Sequence, residues 1–163
     1  MDKSAKKKIE GYISSINQLY EQVDGFLGDT ELKTSRTEVE INEKRSGKYK
    51  AQALVISDKG NNIIAELKPI AAWVIAAKGR IDLVGKFSSE ILVLLDKGGP
   101  VFTTKIMVGD HMEKREKKLL KGVEKDGWYW LEDRKGKNAQ LLDKELLDEL
   151  ISMVSDYDLQ AAV

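Results

Sequence analysis

Thr37-Glu38-Val39-Glu40-Ile41 and, one turn later, Tyr49-Lys50-Ala51-Gln52-Ala53 decide how the chain is read. In both stretches, position parity separates a face for packing from a face for water. That period of two belongs to a β-strand with one wet side. Ser46-Gly47 lies between them, and glycine beside a small polar residue suits the backbone of a tight turn. The two stretches together predict an antiparallel hairpin.

The same punctuation recurs downstream at Asp58-Lys59-Gly60-Asn61, Lys78-Gly79, Asp96-Lys97-Gly98-Gly99-Pro100 and Asp126-Gly127. Short links favour antiparallel neighbours, because a parallel pair needs a crossover of a dozen residues or more. Residues 34–133 are therefore expected to form an antiparallel meander of about six or seven strands. No strand–helix–strand spacing appears, which argues against a doubly wound nucleotide fold. The hairpin centred on Lys78-Gly79 has arms of roughly 62–77 and 80–95, too long for unbroken strands of about five or six residues. Pro69 on one arm and Gly85 to Ser89 on the other stand at similar heights. A proline without a ladder donor opposite a permissive glycine predicts two bent arms and a sheet curled into a half-barrel.

Both flanks switch to helical period. Ile9, Ile13, Ile16, Tyr20, Val23 and Leu27 are spaced alternately by four and three, with Tyr12, Leu19 and Phe26 widening the stripe. This predicts a helix over 4–27, capped by Asp2 or Ser4 and stopped by Gly25 and Gly28. The stripe suits packing on the chain's own sheet or a short dimer seam. Leu146, Leu147, Leu150, Ile151 and Val154 predict a second helix over 143–155, with Asp143 as N-cap and Leu142 and Leu147 as a hydrophobic staple. The expected fold class is α+β: N-terminal helix, curved antiparallel meander, and C-terminal helix packed on the sheet, all in one domain over 1–163.

Composition narrows the chemistry. The chain has 163 residues, no Cys and one His. That excludes a disulfide framework, a thiolate zinc site and a Cys nucleophile, and leaves no multi-His metal centre. The glycines stand mostly at turns rather than in a phosphate-cradling string, and no Gly-x-Ser-x-Gly elbow occurs. The longest apolar run, Ile70 to Ala77 (IAAWVIAA), is far short of the roughly 20 residues that span a bilayer. No secretory leader or lipidation signature is read at the N-terminus. A cytoplasmic location, no membrane and no cofactor are the expectations.

Gly79-Arg80-Ile81-Asp82-Leu83-Val84 followed by Glu90 to Lys97 (EILVLLDK) resembles the strand pair of the PD-(D/E)xK nucleases. In those enzymes an Asp on one strand and an acid-x-Lys on the next hold a metal and orient water. The resemblance implies divalent-metal phosphodiester chemistry around Asp82. It departs where Leu95 occupies the acid's position and Asp96 adjoins Lys97, because adjacent residues on a strand face opposite ways. Glu66, Glu90 and His111 are the other groups that could converge with Asp82. His111, in Gly109-Asp110-His111-Met112-Glu113, lacks partners that sequence can place.

Trp128-Tyr129-Trp130 puts both indoles on one strand face. Those indoles belong either in the core under a helix or on a surface platform. Lys114, Arg115, Lys117, Lys118, Arg134 and Lys135 would surround such a platform with positive charge. The stretch from Asp110 to Lys121, containing KREKK, interrupts the strand pattern and is expected as a short helix or a mobile charged loop. The 27 basic and 27 acidic residues cancel overall, yet residues 1–32 carry 4 and 6, residues 33–137 carry 22 and 15, and residues 138–163 carry 1 and 6. A basic middle thus adjoins an acidic end.

The function read from these residues is a non-catalytic binding module that contacts a protein or polyanionic partner through the sheet and the charged loop. A homodimer is a further possibility. The alternatives are nucleic-acid binding through the basic section with Trp128 and Trp130, and nuclease-like metal chemistry around Asp82.

Overall fold

The computed structural model describes residues 2–132 and 138–158. An N-terminal helix, α1 (Lys3–Leu27), precedes nine strands: β1 (Lys33–Glu43), β2 (Gly47–Ser57), β3 (Ile63–Ala71), β4 (Gly79–Gly85), β5 (Ser89–Leu95), β6 (Val101–Val108), β7 (His111–Lys118), β8 (Gly127–Leu131) and β9 (Ala139–Leu141). A second helix, α2 (Lys144–Val154), follows them. Seven strands form one open antiparallel sheet in the order β1-β2-β3-β4-β5-β8-β9, and among the described residues β6 pairs only with β7. The α+β class and its element order are those that the periodicities predict.

The first hairpin forms where the alternation places it. Thr37, Val39 and Ile41 pair with Ala53, Ala51 and Tyr49. Its other side is wet, and Lys50–Glu38 (3.1 Å) and Lys48–Glu40 (3.9 Å) link the strands there. Charges on an edge strand such as β1 discourage pairing with another chain.

Both helices pack on one sheet face. A single buried cluster joins Ile9, Tyr12, Ile16, Tyr20, Val23 and Leu27 of α1 and Leu146, Leu147, Leu150, Ile151 and Val154 of α2 to Leu67, Ile81, Leu83, Leu92, Trp128 and Trp130. The α1 stripe is therefore spent inside the fold rather than left as a seam. Asp2 caps α1, accepting from the Ala5 N–H at 2.7 Å, and Asp143 caps α2, accepting from the Leu146 N–H at 2.8 Å. Tyr12 and Tyr20 are buried, so their hydroxyls need partners. They donate to the Arg80 and Gln52 carbonyls, both at 2.6 Å, and burial pushes both phenols up in pKa. A smaller cluster of Val93, Leu95, Val123, Tyr129 and Ala139 fills the opposite face at the β5–β8–β9 end.

Two expectations need correction. The segment 80–95 is not one bent arm: β4 and β5 are separate strands that reverse between Gly85 and Ser89, where the Gly85 N–H donates to the Ser88 carbonyl at 2.9 Å. Glycine is required at that corner because a Cβ on Gly85 would lie 2.1 Å from the Val154 carbonyl oxygen of α2. On the other arm the irregularity does fall at Pro69, between Pro69 and Ala71. The chain then leaves the sheet, and it reverses at Val74–Ala77 rather than at Lys78-Gly79. Second, most of Asp110 to Lys121 is neither helix nor loop, since His111–Lys118 is strand β7.

Candidate functional site

Strands β6 and β7 form a two-stranded arm outside the main sheet. Gly109, at φ +61°, makes the reversal, with Asp110 beside it, and glycine adopts that backbone without cost. The register runs from Val108↔His111 and Met107↔Met112 at the tip to Val101↔Lys118 at the base. Directly paired residues share a face, so Phe102, Thr104, Ile106, Val108, Arg115 and Lys117 lie on one side. Val101, Lys105, Met107, Met112, Lys114 and Lys118 lie on the other.

Among the described residues nothing covers either side. Every arm residue is exposed except Ile106 and Glu113, which are half-buried. Phe102 is 59% exposed, and Val101, Met107, Val108, Met112 and, just past the arm, Leu119 are exposed as well. A shallow groove of about 610 Å³ runs along Phe102, Thr104, Ile106, Arg115, Lys117 and Leu119. An isolated hairpin is marginally stable in water, and contiguous exposed apolar groups mark interaction surfaces. The arm's charge is positive, since Lys105, Lys114, Arg115, Lys117 and Lys118 outnumber Asp110, Glu113 and Glu116. Arg115–Glu113 (3.7 Å) and Lys114–Glu116 (3.5 Å) are loose, exposed pairs that leave those cations available.

The predicted site residues separate into two groups. Lys114, Arg115, Lys117 and Lys118 all stand exposed on β7. Trp128 and Trp130 are 5% and 8% exposed, under the helices. The Trp128 indole N–H donates to the Ser15 carbonyl at 3.2 Å, and that of Trp130 to the Glu90 carboxylate at 2.9 Å. Burial leaves neither ring a free face on which a base could stack. Arg134 and Lys135 lie outside the described residues.

Asp82, Glu90 and His111 are dispersed. Asp82 accepts two hydrogen bonds from Arg80, at 2.8 and 2.9 Å, and this pairing raises the Arg80 pKa. Glu90 stands opposite Leu83 in the β4–β5 register while Asp82 stands opposite Ile91, so the two carboxylates face opposite sides of the sheet. His111 is at the arm's tip, 4.0 Å from Glu113. Glu66 is on β3, opposite Val84. Among the described residues no group of three His, Cys, Asp or Glu could hold a metal ion. A polar cleft of about 510 Å³ beside α1 contains Lys78, Asp96, Lys125 and Asp126. Lys78 pairs with Asp96 at 3.2 Å, and Asp126 accepts from the Lys97 N–H at 2.7 Å, so that cleft has no uniform charge to select an ion.

Sequence reasoning missed the arm as a structure while finding its lysines. A hairpin with both faces wet has no apolar alternation to betray it. The usable signal was Gly109-Asp110 between two stretches of strand-like length, with Met107 and Met112 placed symmetrically about it. No family model, curated protein or solved structure matches the chain.

Proposed function

We propose that this chain is a binding module that uses the β6–β7 arm to take up a protein partner presenting an extended segment with acidic and apolar side chains. The observation that carries this reading is the exposed, self-paired arm, with apolar and basic side chains on both faces. Among the described residues each arm strand has one neighbour, so each offers an outer edge of backbone donors and acceptors to an added strand. Eight residues at about 3.4 Å apiece make β7 an edge of roughly 27 Å. A strand laid along it would place acidic side chains beside Lys114 and Lys118 and apolar ones on the Phe102 side, or acidic ones beside Arg115 and Lys117 and apolar ones on the Met112 side. The exposed aliphatic and methionine side chains favour a protein over a nucleic acid, whose backbone offers charge rather than apolar surface. The body of the molecule serves as a mount.

Fluorescence anisotropy of a labelled peptide alternating glutamate and valine tests the reading. Binding to the intact chain, weakened about ten-fold or more by F102D and lost when the arm is removed, is the expected result. Undiminished binding by the armless chain would overturn it. So would arm-dependent binding of duplex DNA, falling steeply with salt, with no binding of the peptide.

A further inference from the structure

The most apolar run of the sequence, Ile70 to Ala77, is only partly in the core: Ala72 is buried and Trp73 packs beside it, while Ile70 and Ile75 are exposed. It forms the end of β3 and the connection to β4, and Ile75 at its tip is 97% exposed. Val74 and Ala77 bridge to close the tip, and Ala76 sits at φ +66°, a left-handed conformation that alanine adopts only under constraint. The constraint is visible. Glu43 accepts from the backbone N–H groups of Ala72 (3.0 Å) and Trp73 (3.1 Å) and from the Tyr49 hydroxyl. The loop is thus pinned to the β1–β2 corner, with an aliphatic tip pushed out into water.

Cations surround this tip. The half-buried Trp73 ring lies between Lys8, 5.7 Å from its centroid, and Arg45, 5.1 Å away. Lys8 also donates to the Lys78 carbonyl at 3.1 Å, which brings the start of α1 to the loop. Lys3, Lys6 and Lys7 are exposed on that part of the helix, Lys44 and Arg45 are exposed on the β1–β2 turn, and Lys78 is exposed beside the tip. Three of the carboxylates here are engaged: Glu43 by the loop, Asp2 by the helix cap and Asp96 by Lys78. Basic residues at the start of α1 oppose its dipole, so they do not serve the helix.

We infer that this end of the molecule docks on an anionic lipid surface, with Ile75 entering the headgroup–acyl boundary, Trp73 at the interface and the surrounding Lys and Arg side chains on the lipid phosphates and carboxylates. Each part fits that solvent. An indole belongs at the membrane–water boundary, an aliphatic tip adds buried area below it, and long basic side chains reach the headgroups. One aliphatic point within a broad positive field suits a fluid charged surface, whereas a protein partner is gripped by a packed patch. The contact is peripheral: among the described residues no helix is long and apolar enough to cross a membrane. It does not depend on the arm.

Co-sedimentation of the full chain with two vesicle types tests this: phosphatidylcholine alone, and phosphatidylcholine mixed with phosphatidylserine. Binding is expected to the mixed vesicles only and to weaken with salt. I75D should weaken it at least about ten-fold, and K6Q and K7Q about five-fold each. Trp73 emission should shift to the blue on binding, and the arm-deleted chain should bind as well as the intact one, which separates this test from that of the arm. Ile75 touches almost nothing, and removing charge at Lys6 or Lys7 favours the helix, so these variants stay folded; circular dichroism checks this. Equal binding to both vesicle types, no binding to either, an unchanged I75D, or equally tight binding of soluble glycerophosphoserine would each overturn the inference.

Discussion

Excising the arm separates its role from that of the body. The Leu119 N–H donates to the Pro100 carbonyl at 3.0 Å, the relation between the last and first residues of a β-turn. Asn-Gly can therefore replace residues 101–118 without moving either end. No arm residue belongs to either buried cluster, and Leu120 and Val123, which do pack on the body, follow the excised segment. The direct cost should stay within about 0.5 kcal/mol, as for other surface changes. Counted from Pro100 through Leu119, the connection shortens about five-fold, and at about 0.6 kcal/mol per doubling that favours the folded state by up to about 1.4 kcal/mol. The armless chain should be as stable as the intact one or about 1 kcal/mol more stable. Its urea m-value should fall less than in proportion to the residues removed, because the arm is already solvated. Urea unfolding followed by the emission of the buried Trp128 and Trp130 measures this. Destabilisation beyond about 1 kcal/mol would show that the arm packs on the body, and the reasoning for a free binding surface would fail.

Other substitutions examine the mount. G85A should cost about 3 kcal/mol, because a Cβ 2.1 Å from the Val154 carbonyl oxygen must displace the end of α2 and weaken the 2.9 Å bond from Phe87 N–H to that oxygen; chemical denaturation reads the loss. W130F should cost about 1–3 kcal/mol, since it leaves the half-buried Glu90 without its indole donor, whereas W73F should cost less than about 1 kcal/mol, because the Trp73 N–H has no acceptor among the described residues. Asp148 is held above the ordinary carboxylate pKa, chiefly by burial, with one oxygen lacking a partner among the described residues. Its ionisation therefore opposes folding, and the penalty grows as pH rises from the ordinary carboxylate value through the raised one. D148N should be more stable than the parent at neutral pH and lose that advantage in acid, as thermal melts at both pH values would report.

Much of this architecture is legible in the residues because burial imposes a period. The stripe from Ile9 to Leu27, the capped run from Leu146 to Val154 and the alternation in β1 and β2 each had one face to hide. Where that constraint lapses the reading fails. β4 and β5 are buried on the helix side and partly covered on the other, so 80–95 reads as one long arm bent at Gly85 to Ser89, and the full reversal there depends on a contact with α2 that no local pattern encodes. The arm buries neither of its faces among the described residues, so Asp110 to Lys121 reads as a short helix or a charged loop although His111–Lys118 is a strand. The lysines of β7 were identifiable by composition, but their arrangement on a self-paired arm was not. Trp128 and Trp130 illustrate the reverse: spacing places them on a common face, and only the packing of Ser15 and Glu90 against them decides that the face is internal.

Amide hydrogen exchange, with and without the glutamate–valine peptide, tests the central claim most directly. In the free chain the amides of 101–118 should exchange far faster than those of β3, β4 and β5. Peptide binding should slow exchange along β6 or β7 while leaving the body unchanged. Protection appearing in the body while the arm stays fast would contradict the assignment of the arm as the binding surface.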